Sequence, residues 1–284
     1  MKHPDPLIPG SLDELLKLIE RYSGSYIFAA GGTDCLAKLG GYMSPRYRLI
    51  DISGIDELKG ISLEQDDLCI GALETMTSLS EDGRIKQYAP CLAMAAAKVG
   101  SWQIRNRATL GGNLANASPA ADTPAALAAL DTGVLLASLR GRRELPVDAV
   151  LTGPNRTALE PGEVITGFRI PLRQGRTSAF GKIGSRTEVS IARLNLAAAM
   201  GGEVEPRVFV GTLGTAALRC REAESALTRR GVPDPAPFCA ALSRLVEKAI
   251  PGRSTLPYKI SAIQALGEDV FSALWGSGTT GGSV

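Results

Sequence analysis

Apolar positions recur along the chain with two periods, which divide it into helix-like and strand-like stretches. Leu12, Leu15, Leu16 and Ile19 fall three or four residues apart and line one face of a helix. Ser11 and Glu14 offer a capping box at its start, and Gly24 a stop. Tyr26 to Ala30 and Arg48 to Ile52 are short apolar runs that read as strands, so this part reads as a small β-α-β unit. Leu68 to Gly71 predicts a strand and Thr75 to Asp82 a short helix. The Ala-rich run Gln87 to Val99 predicts a longer helix closed by Gly100. Val134 to Ser138 and Glu163 to Ile170 read as strands, with a short helix over Pro146 to Leu151 and a loop at Gly153-Pro154-Asn155.

Pro171 to Thr177 is a polar break, and beyond it the order of elements changes. Ser178 to Ile183, Ser190 to Met200 and Arg207 to Gly211 are strand-like and suit one antiparallel sheet. Arg221 to Arg229, Pro235 to Ala249 and Tyr258 to Trp275 then carry helical spacing. Strands followed by helices indicate an α+β arrangement. The expected division is one domain over residues 1–172, with a small part at about 1–55 and a larger one at about 56–172, and a second domain over 173–275. The Gly/Ser/Thr-rich residues 276–284 read as a flexible tail.

Composition narrows the possibilities. The chain has 284 residues, 44% hydrophobic and 21% charged, enough apolar content for a substantial core. A formal net charge of +2 is too balanced to argue for nucleic acid as a partner. No apolar run has the length of a membrane span, and M-K-H-P-D-P-L-I-P lacks the apolar core of a signal peptide, so the expected location is the cytoplasm. The five cysteines, at 35, 69, 91, 220 and 239, are never closer than nineteen residues, which suits neither a zinc ribbon nor a local iron–sulfur run. The single histidine, His3, sits near the start, so a catalytic histidine, a multi-histidine metal site and a histidyl-flavin link are not expected.

Two stretches are unusually poor in side-chain volume. Ala108 to Asp122 reads A-T-L-G-G-N-L-A-N-A-S-P-A-A-D, and Phe28 to Cys35 reads F-A-A-G-G-T-D-C. Bare backbone lets a ligand lie directly against the chain. Gly111 and Gly112 can take positive φ and aim successive N–H groups into one concavity, a nest for an anion. Pro124 stands at the expected start of a helix, whose positive end favours an anion. Neither stretch matches G-x-G-x-x-G or the P-loop pattern, but two such loops could hold one extended dinucleotide between them. Arg105 and Arg107, just upstream of the second loop, could meet a phosphate or be ordinary exposed or paired arginines.

A-A-G-G-T-D, Asp51-Ile52-Ser53, Ile70-Gly71-Ala72, Gln103-Ile104-Arg105-Asn106-Arg107-Ala108-Thr109-Leu110-Gly111-Gly112-Asn113 and Ala117-Ser118-Pro119-Ala120-Ala121-Asp122 together resemble the FAD-binding subunit of molybdenum hydroxylases, the xanthine dehydrogenase and carbon monoxide dehydrogenase type. The resemblance runs in order over nearly the whole chain. It implies a two-part FAD-binding domain of the PCMH/vanillyl-alcohol-oxidase-like type followed by a C-terminal α+β domain. It also implies that Ala29, Ala30, Gly31, Gly32, Thr33 and Asp34, edged by Phe28 and Cys35, wrap the FAD pyrophosphate, with Thr109, Leu110, Gly111, Gly112 and Asn113 as the second grip. Val99 would line the adenine end and Ile165 would pack beside the flavin. Asp122 matches a residue that holds the adenosine portion; from local sequence alone it reads equally as an N-cap for the helix at Pro124. Lys182 matches a lysine close to the isoalloxazine, where its charge would stabilise a reduced, anionic flavin; from local sequence it reads as an exposed strand lysine.

The functional expectation is an oxidoreductase subunit with non-covalent FAD. Electrons would come from iron–sulfur clusters in one partner chain and leave to NAD, a quinone or oxygen. The molybdenum cofactor would sit in another partner. A stand-alone FAD-dependent oxidoreductase and a non-enzymatic flavin-binding assembly factor are the alternatives.

Overall fold

The computed structural model describes residues 5–35, 47–186, 189–228 and 232–276. His3, the end of the helix expected to reach Arg229, and the expected tail beyond Gly276 lie outside the described residues.

The N-terminal part builds as its periodicity predicts. Helix α1 (Leu12–Tyr22) starts at Ser11, whose Oγ accepts from the Glu14 N–H at 3.2 Å. The Glu14 carboxylate reaches back one residue further than a capping box requires and accepts from the Gly10 N–H, 2.8 Å. Leu12, Leu15 and Ile19 bury one face against β1 (Tyr26–Ala29) and β2 (Arg48–Asp51), which pair in parallel. A 3-10 turn leads into a hairpin of β3 (Ile61–Glu64) and β4 (Asp67–Gly71).

The long helix expected over Gln87–Val99 is instead divided. Helix α2 (Met76–Glu81) is followed by α3 (Gly83–Tyr88) and α4 (Pro90–Ala97), and the break falls at Ala89, with φ −140° and ψ 49°. A residue before proline is pushed out of the α region, so Pro90 ends one helix and opens the next. The second glycine stretch also differs from expectation. Leu110–Ala115 forms helix α5, not a loop. A further helix, α6 (Thr123–Ala129), is buried along its whole length.

Strands β5 (Gly133–Ser138), β6 (Gly141–Pro146) and β7 (Val164–Pro171) join the earlier hairpin in a five-stranded antiparallel sheet of order β3-β4-β7-β5-β6. After the polar break, β8 (Thr177–Gly184), β9 (Ala192–Met200), β10 (Arg207–Gly211) and β11 (Leu218–Arg219) form a four-stranded antiparallel sheet in sequence order. Helices α7 (Arg221–Leu227), α8 (Pro235–Ala249) and α9 (Leu256–Gly276) complete the chain.

Both faces of the second sheet are covered, which explains why β9 reads as a nearly unbroken apolar run. Ala197 and Ala199 join Phe180 and Phe209 on the face toward α4, α6 and the five-stranded sheet. Leu194, Leu196 and Ala198 alternate with them and pack with Val208 and Val210 against α7–α9.

Candidate functional site

A cavity of 340 Å³ opens between the end of β1, the start of α5 and the start of β7. Ala30 to Cys35 forms one wall, Thr109, Gly111, Gly112 and Asn113 a second, and Glu163, Val164 and Ile165 a third. Phe28 lines it as well, and Ile52, Ala72 and Leu73 make part of the floor. Most of the residues expected to hold a dinucleotide are therefore brought together.

The two glycine stretches meet the cavity in different ways. In the first, Gly32 has φ +77°, a conformation that side chains rarely adopt. Gly31 lies against the carbonyl of Arg107; a Cβ there would stand 1.8 Å from that oxygen. The N–H groups of Gly31, Gly32, Thr33 and Asp34 donate to no acceptor among the described residues. Backbone donors grouped on a cavity wall without acceptors need water or a ligand to satisfy them. Successive N–H groups around a positive-φ glycine are also the form that binds phosphate oxygens. These residues fit the pyrophosphate of a dinucleotide.

The second stretch is not the nest that its glycines suggested. Gly111 and Gly112 do not take positive φ. Their N–H groups are already satisfied: Gly111 donates to the Ala72 carbonyl at 2.8 Å and Gly112 to Thr109 Oγ1 at 3.1 Å. The neighbouring Leu110 N–H donates to the Glu74 carbonyl, 2.9 Å, and that of Asn113 to the Thr109 carbonyl, 2.9 Å. Thr109 is the N-cap of α5, and its glycines serve close packing. A Cβ on Gly111 would lie 2.8 Å from the Ala72 oxygen and 2.9 Å from its Cβ. What this wall offers a ligand is a surface without bulk and the Asn113 amide, held in place where its Oδ1 accepts from the Thr123 hydroxyl at 2.6 Å.

Five of the expected residues do not line the cavity. Ala29 and Leu110 are buried in the core. Val99 packs at the edge of the core beyond α4. Asp122 and Lys182 pair with each other, Nζ to Oδ2 2.5 Å, with side chains 5% and 7% exposed. Lys182 also donates to the Lys98 carbonyl at 2.8 Å. It is therefore no exposed strand lysine, and it ties β8 to the turn before α6. Asp122 stands at the N-cap position but caps nothing; its backbone is already helical, φ −88° and ψ −40°, which aims its carboxylate away from the helix N–H groups. Burial pushes its carboxyl above the ordinary range, against the pull of Lys182.

Sequence reasoning missed two participants. Asn195, fully buried on β9, donates from Nδ2 to the Ala121 carbonyl (3.1 Å) and to Asp122 Oδ1 (3.2 Å). The available signal was a lone amide within an aliphatic strand, L-N-L-A-A-A. Glu163 accepts from Arg143 Nε (2.6 Å) and Nη2 (2.8 Å) and from the Glu160 N–H (2.7 Å). Hydrogen bonding to Arg143 holds its carboxyl below the ordinary glutamate range. Of the two upstream arginines, Arg105 donates to the carbonyls of Val99 (3.2 Å) and Gly100 (3.1 Å), while Arg107 is exposed and contributes its carbonyl to the packing of Gly31. No group of metal-ligating side chains occurs among the described residues, and no described helix is long and apolar enough to cross a membrane.

Comparison with known proteins agrees with this architecture. The chain is 32% identical over 255 residues to the xanthine dehydrogenase FAD-binding subunit of Escherichia coli O157:H7, covering 86% of each. Carbon monoxide dehydrogenase from Hydrogenophaga pseudoflava holds a chain of the same fold, with TM-score 0.85, 27% identity, and coverage of 97% of this chain and 99% of that one. A chain of quinoline 2-oxidoreductase from Pseudomonas putida 86 superposes equally well, with TM-score 0.85, 27% identity, and 98% and 99% covered. Residues 5–173 match the family described as the FAD binding domain in molybdopterin dehydrogenase. The cavity with its unsatisfied backbone donors lies within that matched segment, and the chain is a member of this family of FAD-binding oxidoreductase subunits of the molybdenum hydroxylases.

Proposed function

We propose that this chain binds FAD without a covalent link and serves as the electron-transfer subunit of a molybdenum hydroxylase complex. The observation that carries the reading is the run Gly31, Gly32, Thr33 and Asp34, which lines the cavity and whose N–H groups lack acceptors among the described residues. They would hold the pyrophosphate, and the side-chain-poor start of α5 would let the dinucleotide lie close to Thr109, Gly112 and Asn113. Val164 and Ile165 would exclude water from the apolar part of the site. Asp122 and Lys182, held together beside the first turn of α6, would contact the cofactor beyond the cavity. FAD, when bound, supplies two-electron and one-electron redox chemistry; the protein supplies binding, orientation and electrostatics.

Electrons would arrive from iron–sulfur clusters in one partner chain, fed by a molybdenum cofactor in another, and leave to an acceptor such as NAD. The relative from E. coli, a FAD-binding subunit by name, supports the division of labour between chains. The first domain would end within Pro171–Thr177, close to where the family match stops. The cytoplasm suits a subunit that exchanges electrons with NAD. The test has two parts. The purified chain should be yellow and release FAD on denaturation; release of FMN, or a protein that stays colourless when refolded with FAD, refutes the site. Under anaerobic conditions an organic hydroxylation substrate should bleach the flavin in the assembled complex and not in the isolated chain. Rapid catalytic bleaching of the isolated chain would make it an oxidoreductase in its own right.

A further inference from the structure

A second cavity, of 240 Å³, lies at the opposite end of α6 from Asp122. Three parts of the chain meet there: the turn after α6, the polar segment after β7, and the ends of β9 to β11. Five arginines stand in its walls: Arg173, Arg176, Arg207, Arg219 and Arg221. Two are matched by carboxylates. Arg207 pairs with Asp131 at 2.9 Å and, more distantly, Asp148 at 3.9 Å, and Arg219 with Glu224 at 2.8 Å. Arg173, Arg176 and Arg221 form no ion pair among the described residues, and the one carboxylate left in the wall is the exposed Glu205.

Arg176 is the most constrained of the three. It is half-buried, and its guanidinium is fixed by the Leu130 carbonyl (3.2 Å) and the Tyr88 carbonyl (3.3 Å) at the ends of α6 and α3. Two of its five N–H donors are used. Burial, with like-charge repulsion from Arg173, pushes its pKa down, although an arginine stays charged at neutral pH. Asp131, in the same wall, pulls the other way, but it is already paired with Arg207, so the cavity carries more positive than negative side chains. Guanidinium forks match phosphate oxygens in pairs, and three arginines without an ion pair among the described residues line this one cavity. At 240 Å³ the cavity has room for a small phosphate-type anion.

We infer that this second cavity binds a small multivalent phosphate-type anion, held by Arg173, Arg176 and Arg221 between the N-terminal and C-terminal halves of the chain. The anion would join the segment after β7 to the second sheet and so brace the two halves.

The test is titration calorimetry of the full chain with inorganic pyrophosphate at constant ionic strength, with and without saturating FAD. Binding to one site that persists in the presence of FAD is expected, with a rise in Tm. Arg173 and Arg221 are exposed, so R173Q/R221Q should fold normally and weaken pyrophosphate binding at least tenfold. R176Q should weaken it as much; if that variant fails to fold, the double variant decides. Absence of binding at millimolar pyrophosphate overturns the inference. So does binding that FAD abolishes or that R173Q/R221Q leaves unchanged, since that anion would belong to the first cavity or to the general surface.

Discussion

Two Gly-Gly pairs face one cavity, and they are opposites. At Gly31-Gly32 the backbone turns through positive φ and four successive N–H groups have no acceptor among the described residues. At Gly111-Gly112 the backbone is helical, and each N–H is satisfied within the protein. The first pair combines close packing of Gly31 on the Arg107 carbonyl with a positive-φ turn at Gly32, and its N–H groups are free for the proposed ligand. The second is built for the close approach of α5 to Ala72, and touches the cavity only with its bare surface. A glycine pair in sequence reports that a side chain would be in the way. It does not report whether the obstructed partner is a ligand, a turn or the rest of the protein.

Substitutions separate these roles. The largest effect is expected from Gly31→Val. A Cβ at this position would stand 1.8 Å from the Arg107 carbonyl, so backbone and not a flexible side chain must move. A cost of about 3 kcal/mol or more, at the upper end for overpacking, should accompany loss of FAD from the purified protein, seen as a fall in both Tm and flavin-to-protein ratio. A variant with wild-type flavin content would show that this contact yields easily.

Next in size is Gly111→Ala, whose added methyl meets Ala72 at 2.8–2.9 Å. It should lower stability by about 1–3 kcal/mol in urea unfolding, while the folded fraction keeps near-normal FAD affinity. Gly32→Ala sharpens the contrast. It meets the conformational penalty of positive φ, about 1–2 kcal/mol, in the loop proposed to hold the pyrophosphate, so flavin affinity should fall more than for Gly111→Ala. Equal affinity losses in the two variants would erase the distinction drawn here.

A smaller change is expected from Thr109→Val, which keeps the shape of the side chain and removes the acceptor of the Gly112 N–H. Loss of the cap should cost about 1 kcal/mol of stability, measurable as a shift of the denaturation midpoint. The smallest effect near neutral pH, and one that depends on pH, is expected at Glu163→Gln. The folded protein holds this carboxyl below its ordinary value of 4.5, so the unfolded chain binds the proton more readily. The stabilisation from the Arg143 pair is therefore complete above that value and disappears as pH falls through the lower, folded-state value. Wild type should exceed the variant in Tm at pH 7, and the gap should close in acid; a gap that widens in acid would contradict the assignment.

Much of this molecule was legible from one sequence. Period-two and helical spacing identified α1, both parallel strands of the first unit, and the strands-then-helices order of the C-terminal half. Those signals are local, because burial of one face repeats along the chain and leaves a regular trace. The bareness of Ala30–Asp34 and of Gly111–Asn113 likewise marked two walls of the cavity, while Leu110 within the second stretch turns into the core. Other features depended on partners far away in sequence. The split at Ala89 could have been foreseen from Pro90, but the helix at Leu110–Ala115 could not, because two glycines weaken a helix that only its Thr109 cap and its packing on Ala72 restore. The pairing of Lys182 with Asp122 spans 60 residues and that of Asn195 with Asp122 spans 73, distances at which no spacing rule applies. Composition and periodicity determined which surfaces had to be buried. Tertiary packing alone decided which glycine N–H groups found acceptors within the described residues and which did not, because the fate of a hydrogen-bond donor is set by what lies opposite it.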